Sequence, residues 1–147
     1  MSGMGDILEN AAIDRWIRSF ARSSAQVNDP HESDAELLSV PGLPAHLLAV
    51  TIDTVAEEIA AGLYRHPHTM GWVAAMASLS DLAAVGADAL GVLISVSATD
   101  LSDESFACHA ARGIEEACRE CGVFVLGGDL NESPAVSLSG CAFGVVP

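Results

Sequence analysis

The sequence predicts an α/β fold of the α+β kind, with residues 1–147 forming one domain around a mixed four-stranded sheet and helices packed on one face. Three observations predict it. Helix-like and strand-like segments follow one another as helix, β, β, α, β, α, β, β, with no linker and no internal repeat between them. Half of the 147 residues are hydrophobic and 18% are charged, which suits one sizeable core and argues against disorder. The strand-like segments are apolar along most of their length, the pattern of strands covered on both faces.

The elements follow in order. In MSGMGDILENAAIDRWIRSF the residues Ile13, Trp16, Ile17 and Phe20 fall at helical spacing, predicting an amphipathic helix over about 6–23 that docks on something. Asp6 and Glu9 stand where a signal peptide would be basic and then apolar, so a cytoplasmic location is expected. SSAQVNDPHESD reads as loop. AELLSV (35–40) and HLLAVTID (46–53) read as strands on either side of the turn residues PGLP. An irregular stretch follows Asp53, and HPH at 66–68 reads as loop because of Pro67. A helix is expected from Thr69 to Val85, closed by Gly86. ALGVLISVS (89–97) reads as a buried strand. Ser102 is the expected N-cap of a second long helix, with Asp103 and Glu104 in its first turn. GVFVLGGD (122–129) and AVSLSGCAFGVV (135–146) read as further strands. Five segments therefore read as strand, while the expected sheet holds four.

Charge removes several functions. Twenty acidic residues stand against six arginines, for a net charge of −14, and there is no lysine. Nucleic acid and anionic membranes need a basic surface, so neither is an expected partner. Without lysine there is no Walker-type phosphate loop, no Schiff base and no lysine nucleophile. A bound phosphate must be met by arginine, backbone N–H groups or a metal ion. The longest apolar run, Leu82 to Val96, is interrupted by Asp88 and too short to span a bilayer. Of the four cysteines, Cys118 and Cys121 form CREC, half of a zinc pattern with no second pair, so packing is the expected role.

One residue breaks the pattern. MASLSDLAAVGAD (76–88) is apolar on nearly every side of its helix, yet Asp81 stands in the middle of it. A buried, unpaired carboxylate costs on the order of several kcal/mol unless a proton or a cation offsets it. Asp53 and Asp129 are each placed at the end of a strand, where ligands gather in α/β sheets, and Asp34 precedes the first strand. The glycines Gly127 and Gly128 let a backbone approach a phosphate closely. Such clustered oxygen ligands suit Mg2+, which joins carboxylates to substrate phosphates.

TIDTVAEE, LSDLAAVGAD and GGD, in this order, resemble thiamine-monophosphate kinase, within the aminoimidazole-ribonucleotide-synthetase-like superfamily. The family motifs read roughly S-T-D-x-x-V-E, N-L-S-D-x-A-A-M-G-A and G-G-D-T. The resemblance implies an ATP- and Mg2+-binding N-terminal domain of a kinase, with Asp53, Asp81 and Asp129 as Mg2+ ligands. Asp34 matches the second aspartate of an early G-D-D motif, Thr51 a metal-coordinating serine, and Gly128 a backbone contact to ATP. It also implies that the sheet joins a second subunit's to form a barrel at a dimer interface, and that the family's C-terminal domain is absent. A small phosphorylated metabolite and a separate C-terminal-domain protein are the further partners implied.

The sequence departs from the family at Ser33, Ile52, Ala60, Ala61 and Val73, positions of the early G-D-D, the S-T-D, a substrate-side His-Phe pair and a lysine. The alternative to an ATP-dependent phosphotransferase is a non-catalytic dimerisation or regulatory module that keeps the fold. Burial alone argues for a homodimer: two helices cover one face of the sheet, and the other would be an apolar patch larger than monomers tolerate.

Overall fold

The computed structural model describes residues 11–13, 15–29, 32–42 and 44–147. The strands are β1 (Glu36–Ser39), β2 (Leu47–Thr54), β3 (Asp88–Ala98), β4 (Val125–Glu132) and β5 (Ser137–Val146). The helices are α1 (Ala56–Ala60), α2 (Pro67–Ala84) and α3 (Glu104–Glu120). All strands join one sheet in the order β1-β2-β5-β3-β4, antiparallel except between β3 and β4. The sheet is mixed, as expected, but it has five strands and not four. The additional one is β4, because α3 is a crossover that returns the chain parallel to β3 at the sheet's edge. The sheet is open, with β1 and β4 as its two edges.

Local chemistry moves three boundaries. Asp103, and not Ser102, caps α3: its carboxylate accepts from the Phe106 N–H at 3.0 Å, while the Ser102 hydroxyl donates to Asp100 at 2.6 Å. HPH opens α2 instead of forming a loop, since proline at the first helical position forfeits an N–H that would be unpaired anyway. The irregular stretch after Asp53 contains the single-turn helix α1. Of the N-terminal helix expected over 6–23, residues 11–13 and 15–17 are helical, and 6–10 lie outside the described residues. Trp16 and Phe20 meet edge to face at 5.4 Å and stay 69% and 58% exposed, so this segment does not bury its apolar side on the sheet.

Helices α2 and α3 lie side by side on one face. They cross at glycines: a Cβ on Gly71 would stand 2.1 Å from the Ala110 carbonyl oxygen, and one on Gly113 would stand 1.9 Å from that of His68. The crossing also carries a hydrogen bond between His68 Nε2 and Glu116 Oε2 at 2.8 Å. Gly113→Ala is therefore expected to cost about 3 kcal/mol by overpacking, read as a lower denaturant midpoint. Cys118 packs in this core, where burial pushes its thiol pKa up to about 11, in keeping with a packing role.

Along β5, Leu138, Gly140, Ala142 and Gly144 face the helices, while Ser139, Cys141, Phe143 and Val145 alternate to the opposite face. Register aligns Ile52 of β2, Cys141 of β5 and Leu93 of β3 in one row on that opposite face, beside the row Val50, Phe143 and Gly91. Ile52 is 75% exposed and Leu93 37%. Within one chain this face is apolar and uncovered. That is why the strands read as apolar throughout.

Candidate functional site

Asp81 leaves α2 toward β2. Its Oδ2 accepts a hydrogen bond from the Thr51 hydroxyl at 2.7 Å, and Thr51 is buried on the helix-facing side of its strand. Burial pushes the Asp81 pKa above its ordinary value; the Thr51 hydrogen bond pulls it back, and the negative charges of Asp53 and Asp34 push it up again. Asp53 is two residues beyond Thr51 at the end of β2, and so projects to the same face. One of its carboxylate oxygens accepts from the Thr54 N–H at 2.7 Å.

Asp34 approaches along the loop before β1, a loop held by a buried asparagine. Asn28 donates to Ser33 Oγ at 3.0 Å and to the Ala35 carbonyl at 3.2 Å, and accepts from the Leu37 N–H at 2.8 Å. Asn28 does not stand out in the sequence. Its signal is the N-D-P turn chemistry, which marks a loop whose side chains satisfy its own backbone.

Thr51 and Asp81 are thus in contact at the β1–β2 side of the sheet, with Asp34 and Asp53 near enough for their charge to act on Asp81. Without divalent cation, Asp81 takes up a proton on folding more readily than in the unfolded chain. Its contribution is then fully present below the unfolded pKa of 3.8 and is lost as pH rises through the raised folded value. Asp81→Asn is expected to flatten that fall in a pH series of metal-free thermal melts.

The glycine pair and Asp129 lie elsewhere. β4 runs on to Glu132, so Asp129 sits within the strand and not at its end, opposite Ser95 of β3, and accepts from the Asn131 side-chain amide. β5 and β3 separate β4 from β2, and three strand spacings put Asp129 about 14 Å from Asp53. One chain does not bring Asp129 to the other three carboxylates. Among the described residues no three His, Cys, Asp or Glu side chains gather closely enough to enclose a metal ion.

Gly128 has a structural demand of its own, since a Cβ there would stand 1.9 Å from the Ile94 carbonyl oxygen. Gly127 has φ +154°, and a Cβ there would meet only the Leu93 side chain, at 3.6 Å. Between α3 and β4 opens a cleft of about 370 Å3, lined by Val96, Phe106, Ala110 and Ile114 on its apolar walls and by Gly127, Gly128 and Asp129 on its strand side.

The donor set at β1–β2 fits magnesium. It is all oxygen: the Asp81 carboxylate and the Thr51 hydroxyl are in contact, and the Asp53 and Asp34 carboxylates lie within reach of their charge. A divalent cation would offset both the burial and the lesser like-charge repulsion that raise the Asp81 pKa. Mg2+ is commonly held by one or two carboxylates with water and phosphate completing the shell, so a fully protein-made cage is not required.

These features define an α+β domain with an acid-rich, all-oxygen site at one edge of its sheet and an apolar cleft beside paired glycines at the other. The family described as AIR synthase related protein, N-terminal domain, matches residues 32–146, and the chain belongs to that family, as a thiamine-monophosphate-kinase-like member. It is 38% identical over 98 residues to a thiamine-monophosphate kinase of Archaeoglobus fulgidus, covering 67% of this chain and 32% of that protein. It is 32% identical over 114 residues to the one of Synechococcus elongatus, covering 77% and 34%. The chain thus spans about a third of the length of these curated relatives. Among solved structures, tt0281 from Thermus thermophilus superposes with a TM-score of 0.80 at 24% identity, over 97% of this chain and 45% of that one. AaThiL, solved in complex with AMPPCP and TMP, superposes with a TM-score of 0.75 at 21% identity, over 94% and 42%. Identities this low show a shared fold. Among the described residues no helix is long and apolar enough to cross a membrane.

Proposed function

We propose that this chain binds Mg2+ and ATP as the N-terminal domain of a thiamine-phosphate-kinase-like phosphotransferase, working in the cytoplasm as a homodimer. The observation that carries the proposal is the part-buried Asp81 carboxylate, held by the Thr51 hydroxyl at 2.7 Å with Asp53 and Asp34 near enough for their negative charge to reach it, so that burial first and like charge second favour a cation there. Asp34, Thr51, Asp53 and Asp81 would hold Mg2+. The cleft between α3 and β4 would take the base, since its apolar walls suit a planar ring, and the Gly127–Gly128 backbone would meet the phosphate end, with Asp129 beside it as a ligand for the phosphate-bound Mg2+. When bound, the metal would neutralise phosphate charge, for which this chain has no lysine.

The open sheet face supports pairing with a second copy, which would link the two halves of the site. Covering it with a second copy removes the exposure of Ile52 and Leu93. Two-fold pairing that closed the sheets into a shared barrel would set one copy's β4 edge beside the β1 edge of the other. Asp129 would then complete the partner's carboxylate cluster, and each site would be built from two chains.

Phosphoryl transfer depends on positioning and charge neutralisation. In this reading the acceptor is a small phosphorylated metabolite, and the family's second domain completes its site. The isolated chain is expected to show negligible ADP release with thiamine phosphate, checked by a coupled ADP assay. The binding claim is tested by calorimetric titration of ATP with and without Mg2+. The expected result is saturation near one nucleotide per chain with Mg2+ and affinity at least about tenfold weaker without it. Absence of binding heat in both conditions would refute the proposal.

A further inference from the structure

Ser78 is a hydroxyl in the middle of the α2–sheet interface, fully buried, and its neighbours on the same helix face are Ala74, Ala75 and Leu82. Its Oγ donates to the Gly140 carbonyl oxygen at 2.7 Å. A Cβ on Gly140 would stand 2.6 Å from both Ser78 Oγ and the Ala74 carbonyl oxygen, so α2 lies as close to β5 as a backbone allows. Alanine at 78 would pack in the same space without burying a polar group, and the hydroxyl therefore needs a reason. Gly140 is the register partner of Asp53. Three residues beyond Ser78, one turn along the same face, is Asp81, which reaches Thr51 on the strand that carries Asp53.

We infer that Ser78 is a positioning residue for the metal site: its hydrogen bond to Gly140 fixes α2 along β5 and thereby sets the separation of Asp81 from Asp53. An apolar contact would let the helix slide, whereas a hydrogen bond has a narrow optimum in distance and angle. The contacts close on themselves, from Asp81 to Thr51, along β2 to Asp53, across to Gly140, and through Ser78 back to α2. This inference rests on the Mg2+ reading of the carboxylate cluster.

The test is calorimetric titration of MgCl2, and separately CaCl2, into the full chain saturated with a non-hydrolysable ATP analogue. Mg2+ demands near-ideal octahedral ligand placement and Ca2+ tolerates looser geometry, so a positioning role alters the ratio of the two affinities. Ser78→Ala is expected to weaken Mg2+ about tenfold and Ca2+ less than about twofold, the scale of loss when a group supporting metal ligands is removed. Gly140→Ala, which must push α2 off the strand, is expected to give the same selective loss. If Ser78→Ala fails to fold, Ser78→Cys, similar in size with a weaker donor, carries the same comparison. A lower melting midpoint with an unchanged Mg2+ to Ca2+ ratio would make Ser78 a packing residue only and overturn the inference. If the wild-type chain takes up neither cation, the metal reading itself fails and the inference goes with it.

Discussion

Asp81→Asn is expected to raise the melting midpoint of the metal-free protein and to abolish its response to Mg2+ and ATP. In the wild type the Asp81 carboxylate is partly desolvated beside Asp53 and Asp34, so its charged form is held at a cost when no cation is present. The amide can keep the Thr51 hydroxyl as a hydrogen-bond partner and removes one of three negative charges. With the metal present the balance reverses. Ligand at a hundred times its dissociation constant stabilises the wild type by about 2.7 kcal/mol, roughly 8–10 °C for a chain of this size, and the variant should show almost none of it. Equal shifts in the two proteins would mean that Asp81 is not a ligand.

The second large effect is expected at Ile52. Its side chain is the most exposed of the row it forms with Cys141 and Leu93, at the centre of the uncovered face. Ile52→Asp would place a charge at the proposed meeting of two apolar sheets, and the cost of burying it, on the order of several kcal/mol, should weaken dimerisation by at least about a hundredfold. Sedimentation equilibrium at micromolar concentration should show a wild-type dimer and a variant monomer. A wild-type monomer there would remove the reason for the apolar face. If each site is built from two chains, as proposed, the variant should also lose Mg2+-dependent nucleotide binding, although Ile52 faces away from Asp81.

Ile52 illustrates what the sequence shows and what it hides. As a departure from the family's S-T-D it is visible at once, but only strand alternation shows that it faces the open side while Thr51 and Asp53 face the helices. Asp81 is legible for a simpler reason: one carboxylate on an all-apolar helix must have a partner. The expected limits of α2 and β2 lie within two residues of the observed ones, since apolar runs and flanking Pro and Gly punctuate them well. β4 is harder. Its residues Gly127 to Glu132 have little strand propensity, and pairing with β3 makes them a strand. Strand order is a tertiary property, so the sequence can align Asp53, Asp81 and Asp129 by motif but cannot reveal that two strands separate Asp129 from the others. Ser78 and Asn28 are hidden likewise, because the partner of each is a backbone carbonyl or amide that only the fold brings near.

A mixed-protomer titration tests most directly whether the nucleotide site is shared between two chains. Asp81→Asn and Asp129→Ala, each alone, should lack Mg2+-dependent ATP binding. Dissociated, mixed in equal amounts and reassociated, they form heterodimers in which one site carries both substitutions and the other carries neither. Random pairing makes about half of the dimers heterodimers, so calorimetry should recover about a quarter of the wild-type stoichiometry, at wild-type affinity. If Asp81 and Asp129 instead serve the same chain's site, no intact site can form, and a mixture as silent as its two components would contradict the account.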